Sequence, residues 1–231
     1  MITVRKSPER GHVRQDWLDS RHTFSFGEYH DPDQMGFGAL RVINEDRVQP
    51  GRGFPLHPHH DMEIITFIIA GALEHRDDMG NREIIHAGEI QRITAGSGIR
   101  HSEANPSDSE PVHLLQIWIF PEEKGLPPGY EMKRFASAPD NTLSLLVSRD
   151  GRENSALLHQ DASVYYAKLD AGRNLENHVN PGRHAWVQMI HGALALNGNR
   201  LEGGDGAAVG EETVLNFTAD ENSTFILFDL P

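Results

Sequence analysis

Short apolar runs separated by turn-forming residues constrain this chain more than any other feature. Leu40–Ile43, Glu63–Ile69, Ala72–His75, Arg82–His86, Ile90–Thr94 and Val112–Phe120 occupy the first half. Leu143–Val147, Val164–Leu169, Trp186–Ile190, Ala193–Leu196, Thr213–Phe217 and Phe225–Phe228 follow in the second. Clusters of Gly, Pro, Asn and Asp lie between them, with little helical periodicity. Runs of this length and spacing predict a β-sandwich or barrel rather than alternating βα units. Asp78-Met79-Gly80-Asn81 and Asn197-Gly198-Asn199 read as hairpin turns, because Gly and Asn tolerate positive φ.

A length of 231 residues fits one large all-β domain or two of about 100 to 150 residues each. The segment PEEKGLPPG, 121–129, concentrates proline, glycine and charge, and it sets the expected boundary. The reading is an N-terminal domain over 1–125 and a C-terminal domain over 126–231. An internal repeat supports two copies of one unit. FIIAGALEHRD (67–77) resembles QMIHGALALNG (188–198), with Gly71 on Gly192, and HAGEIQRITAG (86–96) more faintly resembles EGGDGAAVGEE (202–212).

Composition narrows the chemistry. Cysteine is absent, which excludes disulfides, thiol nucleophiles, iron–sulfur clusters and thiolate metal sites. Histidine occurs 14 times, ten of them before residue 114. A transition-metal site must therefore use imidazole and carboxylate. The net charge of −13, spread over both halves, works against direct binding to nucleic acid or an anionic membrane. Ile64–Leu73, the longest nearly apolar stretch, falls well short of the roughly 20 residues that span a bilayer. The start, MITVRKSPERGH, lacks the apolar core of a signal peptide. These features lead us to expect a cytoplasmic protein.

The strongest functional signal is GRGFPLHPHHDMEI (51–64) followed by GSGIRHSEANP (96–106). Residues i and i+2 of a strand share a face. His57 and His59 therefore point together, and so do His101 and Glu103. If the two segments lie side by side, three imidazoles and one carboxylate converge. Such a set suits Fe(II), Mn(II), Co(II), Ni(II), Cu(II) or Zn(II) better than Mg(II) or Ca(II), which prefer oxygen ligands. We expect one divalent ion, with iron(II) first. His60 should face away from it, and Ile64 and Ile117 should be core. The His22–Tyr29 segment, HTFSFGEY, could line the mouth of a pocket. Ser25 and Ser97 sit in no G-x-S-x-G elbow, so a serine hydrolase is not indicated.

These residues resemble a known family. Gly51, His57, His59, Glu63 and Gly71 are similar to the first cupin motif, with one extra residue before the last glycine. Gly88, Gly96, His101 and Asn105 resemble the second, although Thr94 stands where proline is usual and two residues are added between Gly96 and His101. HPHxxxE followed by TAGxGIxHSE is more specific and resembles the pirin family of bicupins. HTFSF (22–26) and ALRVIN (39–44) are similar to its bacterial branch. The resemblance is dense over residues 12–121 and weaker after 130. It implies an all-β bicupin, two jelly-roll sandwiches in tandem. It also implies metal ligation by His57, His59, His101 and Glu103. In many other cupins the first-motif glutamate, here Glu63, is the ligand. Glu63 thus stands as a residue supporting a ligand imidazole or, with Glu103, as a candidate general base.

Applying the repeat places His57, His59 and Glu63 on His178, Asn180 and His184, and places His101 and Glu103 on Phe217 and Ala219. Two of these cannot ligate, so the ion is expected in the N-terminal unit alone. The resemblance implies quercetin 2,3-dioxygenase activity, in which a flavonol and dioxygen react with ring opening and release of carbon monoxide. The competing reading is a non-enzymatic metal protein that senses redox state and binds a protein partner. Another cupin reaction is the third, since one scaffold hosts many chemistries.

Overall fold

The structure, a computed structural model, describes residues 1–135 and 139–231. In chain order its strands are β1 (Ile2–Arg5), β2 (Gly11–Arg14), β3 (Leu18–His22), β4 (Leu40–Val48), β5 (Gly53–His59), β6 (Glu63–Ala70), β7 (Ala72–Asp77) and β8 (Arg82–His86). Then come β9 (Glu89–Thr94), β10 (Ile99–Ala104), β11 (Val112–Ile119), β12 (Gly129–Arg134), β13 (Ser144–Ser148), β14 (Ala156–Leu157) and β15 (Ser163–Leu169). The last are β16 (Asn174–His178), β17 (His184–His191), β18 (Ala193–Leu196), β19 (Asn199–Glu202), β20 (Gly206–Val209), β21 (Val214–Ala219) and β22 (Ser223–Leu230). Helical structure among the described residues amounts to two 3-10 turns, Ser7–Glu9 and Arg152–Asn154. Among the described residues, no helix is long and apolar enough to cross a membrane.

The chain divides into two compact units, Gly11–Ala136 with Ala156–Gln160, and Met1–Arg10 with Ser137–Ser155 and Asp161–Pro231. The expected 1–125 and 126–231 division differs from these bounds at both ends. The first strand, β1, pairs with β20 (Ile2↔Val209), so it belongs to the C-terminal unit. Conversely, β12 lies beyond the proline-rich segment yet pairs with β9 (Gly129↔Thr94). In each case the added strand covers a sheet edge whose backbone groups would otherwise lack partners. The segment 121–129 connects β11 to β12 inside the N-terminal unit, because composition carries no information about which edge a flanking strand will reach.

In the N-terminal unit, β12-β9-β6-β11-β4-β3-β2 form one antiparallel sheet and β5-β10-β7-β8 a second. Val48, Ile68, Val112 and Leu114 of the large sheet pack against Leu73 and Ile85 of the small one. These are the inward residues of alternating strands, and each such fully buried aliphatic contributes about 1.5–3 kcal/mol relative to exposure. One transverse row of the large sheet is polar instead. Gln91, Thr66, Gln116, Asn44 and His22 are successive cross-strand partners on β9, β6, β11, β4 and β3. Their neighbours at i±2, such as Ile64 and Ile68, lie in the interior, so this row faces inward too.

The C-terminal unit repeats the plan, with β1-β20-β17-β22-β15-β13 in one sheet and β16-β21-β18-β19 in the other. Its interior is aliphatic and aromatic, including Leu194, Leu196, Leu215, Phe217 and Phe225. The two repeat glycines confirm the match. Gly71 and Gly192 adopt φ of 78° and 80° at equivalent hairpins, and a Cβ on Gly71 would lie 2.9 Å from the Pro111 carbonyl oxygen. Gly71→Ala is expected to cost about 1–2 kcal/mol from the left-handed backbone alone. Urea denaturation would measure this loss.

Candidate metal centre

β10 lies between β5 and β7 in the small sheet, and this position assembles the site. His101 is opposite His57 on β5 and opposite Asp77 on β7, while Glu103 is opposite His75. A register shift between His101 and Glu103 marks a bulge against β5, which re-aims side chains at that edge. His57, His59 and His101 can each offer a nitrogen within 4.8 Å of the others, and so can His75, His101 and the Glu103 carboxylate. His101 belongs to both groups. The four residues singled out as ligands thus fall in two groups that share His101, and His75 is added to the second.

The geometry specifies how each imidazole is held. His57 Nδ1 lies 2.8 Å from the Pro55 carbonyl oxygen, and its Nε2 lies 3.1 Å from His101 Nε2. On the far side of His101, Nδ1 is 3.4 Å from His75 Nδ1. His59 packs edge-on to Trp118, with ring centroids 5.0 Å apart. Burial, reinforced by repulsion among the neighbouring imidazoles, pushes the pKa of His59 down to about 4 and that of His101 to about 3. Both rings are therefore neutral at pH 7, the form that offers a lone pair. Glu103, 2% exposed, accepts hydrogen bonds from the Gln91 side-chain amide and from Gln116 Nε2 at 2.9 Å. Thr66 joins these amides, accepting from Gln91 at 2.9 Å and donating to Gln116 at 2.8 Å. The polar row of the large sheet thus fixes the one carboxylate of the cluster. Three imidazoles and a held carboxylate match the donor set of a divalent transition ion.

Glu63 does not join them. It neighbours Thr94 across β6 and β9, on the opposite face of the sheet from Thr66. Its Oε2 accepts from the Thr94 hydroxyl at 3.2 Å and from the His159 backbone N–H at 3.4 Å, with His159 Nδ1 3.4 Å from Oε1. Burial raises its pKa. The expectation of a ligand-supporting or catalytic Glu63 is corrected here. Strand alternation sends the side chain at 63 outward because 66 must point in. Other readings fare differently. His60 is largely exposed, and Ile64 and Ile117 are fully buried.

A cavity of about 330 Å³ is lined by Ser20, His22, Phe26, Asn44, Asp46 and Phe54 among others. Phe26 meets Trp118 edge-on at 5.3 Å, and Trp118 packs on His59, which links the HTFSFGEY segment to the cluster. Asp46, the unforeseen member, is fully buried and accepts a hydrogen bond from Ser20 Oγ. Burial, only partly offset by that bond, pushes its pKa up to about 7, with repulsion from Glu103 and Glu45 adding to the rise. The sequence signal that could have revealed these residues is a polar side chain at an inward position of an apolar run. Gln91, Gln116 and the Asn44/Asp46 pair all fit that description, and His75/Asp77 is a further i, i+2 pair.

In the C-terminal unit, β21 pairs with β18 as Phe217↔Leu196. Leu196 corresponds to His75 through Gly71 and Gly192, and His75 faces Glu103. Phe217 therefore stands at the place of Glu103, and Leu215 at that of His101. The sequence alignment had been two residues out of step here. His178 is exposed beside Glu176 at 3.1 Å.

Two cupin-type sandwiches in tandem, the first with a histidine-rich inner face, define a bicupin. The Pirin family model matches residues 3–119, and the model for the quercetinase C-terminal cupin domain matches 145–230. The chain belongs to the pirin family. A quercetin 2,3-dioxygenase of Escherichia coli (strain K12) is 47% identical over 231 residues, spanning 100% of this chain and 99% of its own. A pirin-like protein of Caulobacter vibrioides is 38% identical over 231 residues, 99% of each chain. The crystal structure of bacterial pirin YhhW in complex with nickel(II), from Escherichia coli, aligns with a TM-score of 0.96 at 46% identity, covering 100% and 99% of the two chains.

Two outcomes follow from this geometry. Glu63→Gln should leave metal affinity unchanged, read by nickel(II) titration. The metal-free protein should lose stability as pH falls from about 6.5 towards 4. His59 and His101 have folded pKa values below the unfolded value of about 6.5, so the unfolded chain takes up protons first. Thermal unfolding across that range would check the sign.

Proposed function

We propose that this protein is a metal-dependent dioxygenase that cleaves flavonols such as quercetin, with dioxygen as co-substrate and carbon monoxide released. The observation carrying this reading is the set of three imidazoles with Glu103 next to His101 on one inner face, together with a cavity lined by Phe26, Phe54, Asn44 and Asp46. His57, His59, His101 and Glu103 are the proposed ligands of one divalent ion. Iron(II) is the expectation from the sequence, and nickel(II) occupies a related structure. When bound, the ion supplies a Lewis acid that lowers the pKa of a coordinated hydroxyl.

The remaining work falls to the chain. Phe26, Phe54 and Trp118 offer flat apolar surface for a planar aromatic ligand. Gln91 and Gln116 hold the Glu103 carboxylate in place as ligand and candidate proton acceptor. Asp46 provides a second acceptor, because a carboxyl with a pKa of about 7 takes and returns a proton near neutral pH. Asn44 and Ser20 can address phenolic hydroxyls from the same wall.

The test is reconstitution with iron(II), nickel(II), cobalt(II), manganese(II), copper(II) and zinc(II), followed by oxygen consumption and carbon monoxide release with quercetin. At least one ion should support both, and His101→Ala should abolish metal binding and turnover together. If no ion supports oxygen consumption, the dioxygenase reading fails and the non-enzymatic metal protein takes its place. Retained turnover in His101→Ala would overturn the site assignment.

A further inference from the structure

Behind His101, away from His57, lies a buried pair that the proposed chemistry does not use. The side chains of His75 and Asp77 are wholly buried, and His75 Nε2 lies 3.0 Å from Asp77 Oδ2. Asp77 sits where β7 enters its hairpin turn, and the turn surrounds its carboxylate with donors. The backbone N–H groups of Met79 and Asn81 reach Oδ1 at 3.0 and 2.9 Å, and Asn81 Nδ2 reaches Oδ2 at 2.8 Å. The ring of Tyr130 stacks on His75, with centroids 4.6 Å apart and planes 19° from parallel. The imidazole is thereby held in one orientation.

We propose that Asp77 and His75 are positioning residues that fix the tautomer of His101, so that its Nε2 lone pair points into the metal centre. Donors and acceptors set where each ring proton sits. Asp77 is an acceptor only, so His75 Nε2 must donate to it. With that proton committed to Asp77, a His75 carrying one ring proton presents a bare Nδ1, and the proton in its 3.4 Å contact with His101 Nδ1 belongs to His101. His101 Nε2 is left bare. The other side of the site follows the same logic. The Pro55 carbonyl is also an acceptor only, so His57 donates from Nδ1, and with its one ring proton placed there its Nε2 is bare as well. Two lone pairs facing each other at 3.1 Å repel, and a cation held by both turns that repulsion into binding.

The internal repeat gives independent support. With Gly71 on Gly192, the positions of His75 and Asp77 fall on Leu196 and Gly198, so the relay is present only in the unit that has the histidine cluster. Partners of ligand imidazoles typically contribute about 10–100-fold in metal affinity.

This inference rests on the metal reading above, and its test separates the two. Long-range ¹⁵N–¹H correlation spectra of the full chain without metal should show His101 protonated at Nδ1 and His75 at Nε2. In Asp77→Asn, the amide oxygen must face the two backbone donors, which leaves its NH₂ against His75. Both imidazoles should then reverse, placing a proton on His101 Nε2. Nickel(II) affinity, measured by equilibrium dialysis, should fall about 10–100-fold. A wild-type spectrum with His101 protonated at Nε2, or with His75 doubly protonated, would overturn the proposal. So would a folded Asp77→Asn variant that keeps the wild-type tautomer. Should that variant fail to fold, the wild-type spectrum alone decides. Failure of the wild-type chain to bind nickel(II) would count against the metal reading and not against the tautomer.

Discussion

The N-terminal unit depends on one electrostatic arrangement, the crowding of imidazoles around His101 on a buried inner face. Such crowding costs free energy through desolvation of polar nitrogens, and it brings the Nε2 atoms of His57 and His101 to 3.1 Å. The surrounding structure makes it tolerable by giving the outer nitrogens partners. Pro55 takes one of them, and the His75–Asp77 pair takes another. The small sheet can do this because β10 runs between β5 and β7, so three separate i, i+2 pairs point the same way.

The large sheet contributes the complementary half. Its polar row replaces what would be another aliphatic layer with amides and a hydroxyl that hold Glu103 and extend toward the cavity. A buried polar network is tolerable when its members satisfy one another, and Thr66 links both glutamines in this one. Asp46 lies on the same strand face as Asn44, two residues on, and reaches the cavity wall with a carboxyl near its protonation midpoint at neutral pH. The C-terminal unit shows the same scaffold without these substitutions. Leu196, Leu215 and Phe217 fill the inner face, and the sandwich packs as an ordinary apolar core.

Much of this was legible beforehand. Most of the apolar runs stand within a residue or two of strands, and Arg82–His86 and Ala193–Leu196 coincide with β8 and β18. Strand β4 runs to Val48, past Leu40–Ile43, because its later positions Asn44, Glu45 and Asp46 are polar, and β10 and β20 match no run. Strands β1, β2 and β12 at sheet edges, and β3 next to one, were not legible. They are short and polar, as in GHVR and LDSRH, and take their conformation from a partner edge. The four ligand candidates were legible because strand alternation is a local rule. Glu63 illustrates its limit, since a family motif put it near the ligands while alternation along β6 sends it to the other face.

What the sequence determined by itself is therefore what short-range periodicity encodes. That covers an all-β chain, a doubled unit, a nitrogen-and-oxygen site confined to the first copy, and the pairs His57/His59 and His101/Glu103. Only the tertiary structure decided which strands adjoin. It placed His75 and Asp77 behind His101, set Gln91 and Gln116 on Glu103, brought Asp46 to the cavity and removed Glu63 from the centre. The physical reason is that hydrogen-bond partners across a sandwich are chosen by register between strands far apart in the chain. No local pattern of residues records that register.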